Sequence, residues 1–299
     1  MRVAEPAELL LDWYARVKRV LPWRSDRSPY RVVVSEFMLQ QTQVDRVIPA
    51  FERFVAGFAS FAELAAAPAG DVVRAWQGLG YNGRAVRLHR LARAVCDLHG
   101  GVLPGDLAVL RGLPGIGPYT AAAIRAFAFD RDEPAVDTNV QRVVRRVRFG
   151  PEYERPASSK EIDAAAAGFI LAGRGNDCNS ALMDLGSAIC TARAPKCLIC
   201  PLQSVCAAYP LDPATLAVRA RGLRKPAITY HKTTRYLRGR IVDALRALGP
   251  RETISLLDLS GTLASAVPDR STAEIESAAR ALAADGLVRI DGEAIGLPY

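Results

Sequence analysis

The chain lacks any run of about 18 uncharged apolar residues, so no ordinary membrane-spanning helix is expected although half of its 299 residues are hydrophobic. Its first twenty residues carry charges throughout and show no cleavable signal pattern, so export is not expected either. Cysteine is scarce, with six in all. Without export, those thiols are expected to be reduced in a cytosol rather than paired as disulfides. Alternating strand patterns are nearly absent. Apolar residues instead recur three and four apart, as at Leu9, Leu10, Trp13 and Val17, which predicts helices. Acidic residues are outnumbered, 31 against 39 Lys and Arg, leaving a net charge of +8 that suits a polyanionic partner.

The pattern predicts a mainly α protein. Pro49, Pro68, Pro104, Pro114 and Pro134 are expected to mark helix ends, and residues 1–212 read as one all-helical domain. Residues 219–240 hold Arg219, Arg221, Arg224, Lys225, Lys232, Arg235, Arg238 and Arg240 with no carboxylate. They read either as a solvated basic linker, taken as 213–237, or as a row of phosphate contacts. The only clear strand signal lies near the end, where two apolar runs flank Asp291-Gly292, a hairpin pattern. Three helices precede it, one starting about Arg238, one after Thr253 and one over Thr272–Asp285. That order makes residues 238–299 a small α+β unit like a winged helix.

Four of the six cysteines, Cys190, Cys197, Cys200 and Cys206, fall in one stretch as C-x6-C-x2-C-x5-C. Thiolates are soft ligands for zinc or for an iron–sulfur cluster. A zinc ribbon has two short C-x2-C knuckles, and here only one pair has that spacing. Upstream, Leu113-Pro-Gly-Ile-Gly117 lies between helical patterns at 106–112 and 118–129. Gly115 and Gly117 permit a tight hairpin, and the N–H groups opening the second helix favour an anion. Some twenty residues later Val136-Asp137-Thr138-Asn139-Val140 opens a basic helix carrying Arg142, Arg145 and Arg146.

Together these motifs resemble the helix-hairpin-helix DNA glycosylases of the endonuclease III/MutY superfamily, and they do so from about Leu11 to Cys206. Leu21-Pro-Trp-Arg24, Ser35-Glu-Phe-Met-Leu-Gln-Gln-Thr-Gln-Val44 and Gly78-Leu-Gly-Tyr81 point to its MutY-type adenine glycosylase branch. The resemblance implies two helical lobes, one of six helices over about 25–130 and one formed by 1–24 with 131–212, with the active cleft between them. It implies that Cys190, Cys197, Cys200 and Cys206 hold a [4Fe–4S] cluster that shapes its own loop. Duplex DNA bearing a mispair or lesion is the implied partner of a monomer.

By the same resemblance, Glu36 is the acid that protonates the departing purine. Its apolar neighbours are expected to raise its pKa. Asp137 stabilises the positive charge developing on the sugar, Asn139 orients it, and Tyr119 bonds near Glu36. Bifunctional relatives carry a Schiff-base lysine where this chain has Tyr119, so a monofunctional enzyme is implied. Trp23, Arg24 and Leu39 match base-pocket residues, and Gln41 and Tyr81 match residues that wedge into the base stack. Gln40, Thr42, Gly115, Gly117, Arg193 and Lys196 are implied DNA contacts. Three departures stand out. Residues 226–299 are too short for the family's Nudix-like domain and lack its glutamate-rich box, Ser180 replaces the usual Gln or Glu that reads the adenine edge, and Asn82 replaces a second aromatic after Tyr81. Removal of another base, such as mismatched thymine or uracil or a damaged purine, is the alternative activity. A non-enzymatic cluster-bearing DNA-binding or regulatory protein is the alternative class.

Overall fold

A computed structural model describes residues 5–151, 157–211 and 229–299. Most of the expected basic linker thus lies outside the described residues. The chain divides into two compact units. Unit 1 comprises Met1–Val32, Gly105–Arg111 and Ile116–Lys225; unit 2 comprises Val33–Pro104, Gly112–Gly115 and Pro226–Tyr299. This grouping differs from the expected boundaries, with residues 25–32 and 105–111 also falling in unit 1. The C-terminal residues share a core with residues 33–104 instead of standing alone, and the helix after the hairpin joins the cysteine-bearing unit.

In unit 1, α1 (Pro6–Val17) and α2 (Pro22–Ser25) begin the chain, and α3 (Pro29–Leu39) leads from it into unit 2. Most of α8 (Leu107–Gly112) belongs to unit 1, with α9 (Pro118–Ala128), α10 (Thr138–Phe149), α11 (Ser159–Ala167) and α12 (Gly175–Ala188). Side-chain caps set several starts. Asp137 caps α10, and a reciprocal Ser158–Glu161 capping box opens α11. Leu10, Tyr14, Val140, Val144, Ile162, Phe169, Leu182 and Leu185 form the core. The buried stripe of α1 is Ala7, Leu10, Leu11 and Tyr14. Val17, expected on that stripe, is 47% exposed, because the face is set one residue further round.

Unit 2 contains the rest of α3, then α4 (Val44–Gly57), α5 (Phe61–Ala66), α6 (Ala69–Ala75) and α7 (Gly83–His99). Pro49 lies inside α4 rather than at its end. It sits in the second turn, where it removes the N–H that would bond the carbonyl of Asp45. The C-terminal module follows with α13 (Thr234–Arg246), β1 (Thr253–Ser255), α14 (Leu256–Leu263), α15 (Thr272–Ala284), β2 (Arg289–Asp291) and β3 (Ala294–Gly296). The antiparallel sheet runs β1-β3-β2, with Ile295 opposite both Ile254 and Ile290. This is a winged-helix order, with Gly292 at a φ of 60° turning the hairpin. The expected helices are present; the first begins at Thr234, and the three-residue β1 was not anticipated.

The module is built into unit 2. Val73 of α6 and Val86 of α7 share one core with Leu237, Ile241, Leu245, Leu282 and Ile295. Arg74 donates to the carbonyls of Leu248 (2.8 Å) and Gly249 (2.7 Å). Arg246 donates to Val73 O (2.8 Å) and to Asn82 Oδ1 (2.9 Å). A side chain on Gly70 would lie 2.4 Å from Pro298 O, so the module's last residues press on bare backbone.

Candidate active site and cysteine loop

Asp137 is the N-cap of α10. Its Oδ1 accepts the N–H groups of Asn139 (2.9 Å) and Val140 (2.7 Å), and its Oδ2 accepts Asn139 Nδ2 (3.0 Å). A half-buried carboxylate at a helix N-terminus, bonded through both oxygens, is fixed in orientation. Asn139 is itself held. Its Oδ1 accepts Arg142 Nη2 (2.9 Å), while Arg142 also donates to Gly186 O (2.6 Å) and Cys190 O (2.7 Å). A Cβ on Gly186 would lie 2.8 Å from Asn139 Cβ, so only glycine lets α12 approach α10 this closely. One bonded path therefore runs from the start of the cysteine loop through Arg142 and Asn139 to Asp137. The sequence signals Arg142 only as one of several basic residues.

In unit 2, Glu36 lies on a helix buried on every side: Ser35 is 1% exposed, Glu36 7%, and Phe37 and Met38 fully covered. Leu39, half-buried, ends the helix, and the chain turns through Gln40, Gln41 and Thr42. Gln41 is exposed with a φ of 55°, and Tyr81, 38% exposed, has a φ of 45°. Two non-glycine residues in the left-handed region imply turns held from outside.

Arg84, on α7 and 2% exposed, holds them. Its Nη1 donates to the carbonyls of Phe37 (2.9 Å), Met38 (2.7 Å) and Gln40 (2.6 Å). Its Nη2 donates to Thr42 Oγ1 (3.0 Å), Leu79 O (3.1 Å) and Gly80 O (3.0 Å), and its Nε to Tyr81 O (3.4 Å). Burial pulls this guanidinium down to about 10, with Arg87 adding to the effect. No sequence signal separated Arg84 from the other basic residues of α7.

The hairpin glycines differ in purpose. Gly115 needs its φ of 79°, and a Cβ there would lie 3.0 Å from the Phe37 ring. Gly117 caps α9 with nothing within 4 Å of its would-be Cβ, leaving that helix N-terminus open to an approaching group. Tyr119, half-buried, lies in the first turn of α9.

Trp23 is buried at 8% exposure. Arg24 makes a two-point pair with Asp184, Nη1 to Oδ2 at 2.8 Å and Nη2 to Oδ1 at 3.0 Å, and Arg19 adds a second cation. Burial works against both charges, but the pairing outweighs it, raising Arg24 and holding Asp184 below the usual carboxylate range. Ser180 is fully covered on α12, bonded to Tyr14 and within 3.5 Å of Asn176 Oδ1. Asp184 was visible in the sequence beside Ser180 but carried no motif of its own. Arg193 and Lys196 are exposed on the cysteine loop.

Cys190, Cys197, Cys200 and Cys206 border one small cavity, backed by Val143, Val147, Leu185 and Ile189. Burial pushes the Cys200 thiol up to about 11, and burial also raises Cys197 and Cys206, with neighbouring thiols adding to each. Four thiols crowded this way need a cationic centre to become thiolates. Among the described residues no three His, Cys, Asp or Glu side chains converge on a single metal ion. A cavity bordered by all four thiols can take a multi-iron cluster. Arg146 fastens the loop, donating to Thr191 O (2.7 Å) and reaching Cys190 Sγ at 3.6 Å. Cys96 and Cys178 are not among the cavity's lining residues.

Comparison with known proteins agrees. The HhH-GPD superfamily of base excision DNA repair proteins matches residues 34–166, and the iron-sulfur binding domain of endonuclease III matches residues 190–206. An adenine DNA glycosylase of Mycolicibacterium smegmatis is 40% identical over 95% of this chain and 92% of its own length. The one from Mus musculus is 42% identical over 67% of this chain and 41% of its own. Among solved structures, a thermostable thymine-DNA glycosylase superposes with a TM-score of 0.63 at 31% identity, over 68% of this chain and 94% of its own. An endonuclease III–DNA complex, at 23% identity and a TM-score of 0.58, shares the fold over 67% of this chain and 92% of that chain. The iron–sulfur match supports a [4Fe–4S] cluster, and Cys190, Cys197, Cys200 and Cys206, all within the matched span and bordering one cavity, are the residues that would hold it. The chain belongs to the HhH-GPD superfamily of base excision DNA repair proteins, in its adenine DNA glycosylase family.

Proposed function

We propose that this protein excises adenine from mispairs with 8-oxoguanine or guanine in duplex DNA, as a monofunctional glycosylase that leaves an abasic site. The observation that carries the reading is the geometry at Asp137. Its carboxylate is bonded through both oxygens and braced by Asn139 and Arg142. A helix cap alone needs one oxygen. An anion fixed this firmly suits stabilisation of an oxocarbenium-like sugar without moving.

The adenine must first leave the stack, which costs a few kcal/mol and less at a mispair. Gln41 and Tyr81, exposed at two neighbouring turns braced by Arg84, fill the space it leaves. The open N-terminus of α9 at Gly117, with Arg193 and Lys196, takes phosphates. Glu36 gives a proton to N7. The N-glycosidic bond breaks, its electron pair goes to the base, and Asp137 stabilises the cationic sugar. Water then adds at C1′ and loses a proton. General acid help of this kind contributes about 10²–10⁴-fold. Tyr119 supplies no amine, so no imine forms with the sugar. Cys190, Cys197, Cys200 and Cys206 would hold the cluster, which would fix the loop that Arg142 and Arg146 bond. One chain carries both carboxylates, which supports action as a monomer, and reduced thiols fit a cytosolic setting.

The test is excision from duplexes carrying each base opposite 8-oxoguanine or guanine, read by alkali cleavage. Adenine released opposite both is expected; release of thymine or uracil alone would overturn the reading.

A further inference from the structure

Tyr81 is contacted by an arginine from the C-terminal module. Arg235, in the first turn of α13, places its guanidinium carbon 3.5 Å from the centre of the Tyr81 ring, and its Nη1 donates to the phenol oxygen. Both side chains are exposed. The arrangement is built, because α13 is registered on this part of unit 2. Its last turn is tied to Val73 O and Asn82 Oδ1 through Arg246, and its apolar face lies in the core shared with Val73 and Val86. Asn82 follows Tyr81 directly, at the position where the motif's second aromatic is missing. This chain instead has an amide that anchors the module, and the module returns a planar cation to the tyrosine.

We infer that Arg235 is a positioning residue for Tyr81. It covers one face of the ring and fixes the side chain's direction, so that Tyr81 enters the base stack preorganised. The inference rests on the reading of Tyr81 as the wedge. It gives the C-terminal module a task in mispair recognition through the tyrosine, distinct from adding basic charge. Guanidinium suits the task because it is planar, stays charged and stacks on aromatic faces. Cation–π contact strengthens where water is excluded, as it is when the pair meets a duplex.

A double-mutant cycle on the full-length, cluster-bearing protein tests this. Tyr81→Ala, Arg235→Ala, Arg235→Lys and the double alanine variant are compared. The readout is the affinity for a duplex with non-hydrolysable 2′-fluoroadenosine opposite 8-oxoguanine, divided by that for a matched duplex. Fluorescence of 2-aminopurine beside the adenine reports unstacking. Base–aromatic stacking predicts that Tyr81→Ala lowers the ratio by about 5- to 150-fold. Cation–π energies predict a loss of about 2- to 30-fold for Arg235→Ala. The double variant should be no worse than Tyr81→Ala, because the arginine acts only through the ring. Arg235→Lys keeps the charge without the plane and should stay within about twofold of Arg235→Ala. Multiplying losses, or full rescue by lysine, would make Arg235 an ordinary phosphate contact and overturn the inference. A loss with Tyr81→Ala but none with Arg235→Ala would overturn the inference alone. No loss with Tyr81→Ala would overturn the wedge reading beneath it.

Discussion

Replacing Arg84 with methionine removes a buried cation that has no carboxylate among its described bonds, only carbonyls and one hydroxyl. Two effects oppose each other. Lowering the guanidinium from 12.5 to about 10 corresponds to about 3 kcal/mol of unfavourable charging, at about 1.36 kcal/mol per unit, and methionine escapes it. Because the folded value is depressed, stability would rise with pH only as pH passes above about 10, so near neutrality the cost is constant. Against this, six carbonyls, those of Phe37, Met38, Gln40, Leu79, Gly80 and Tyr81, lose a charged donor. Each buried acceptor left unsatisfied costs about 1–3 kcal/mol. Some of these carbonyls lie near the surface and would recruit water, which reduces the sum. The bonds outweigh the charging cost, and Arg84→Met should lose about 2–4 kcal/mol. For a domain of this size that lowers Tm by about 5–12 °C. The turns carrying Gln41 and Tyr81 would relax with it, so mispair binding should fall further than binding to matched duplex. Thermal unfolding followed by circular dichroism measures the first effect and titration of the two duplexes the second. A variant melting within about 1 °C of wild type would refute the reasoning, since even one lost buried bond costs more than that.

Arg142→Met should slow single-turnover excision by about tenfold or more, about 1.4 kcal/mol of lost orientation at Asp137, while protein-bound iron stays constant. Excision at the wild-type rate would disconnect Asn139 from Asp137's role. Borohydride should trap no stoichiometric covalent complex with the abasic product, because Tyr119 offers no amine; strong trapping would indicate a lyase. Ending the chain after residue 212 uncovers Val73 and Val86, which are 0% and 6% exposed. Unit 2 should lose about 3–6 kcal/mol from those two side chains alone, read as a lower urea midpoint; an unchanged midpoint would mean the shared core contributes nothing.

Local signals carried much of the fold into the sequence. The turn at Asp291-Gly292 marks its hairpin by chemistry confined to two residues. The features missed depend on partners distant in sequence. Asn82 reads as the loss of an aromatic until Arg246, far along the chain, is found on its amide. Arg84 reads as one more basic residue of α7 because its partners are carbonyls, which leave no trace in a sequence. The charge run was only partly legible. Arg238 pairs with Asp285 and Arg240 with Asp243, so two of its cations are compensated by carboxylates outside the run. The short β1 gives too few residues for alternation to be read. At the site, Glu36, Asp137 and the four cysteines stand out in the sequence because motifs carry them. Arg142, which braces Asn139, and Asp184, which holds Arg24, belong to none of those motifs.

Single-turnover excision of adenine opposite 8-oxoguanine by Glu36→Gln and Asp137→Asn, with binding measured on the same duplex, tests the central claim most directly. Loss of a general acid or of a fixed anion predicts excision falling by about 10²–10⁴-fold, with affinity near wild type because neither change removes a phosphate-binding cation. Excision by Glu36→Gln near the wild-type rate would contradict the account.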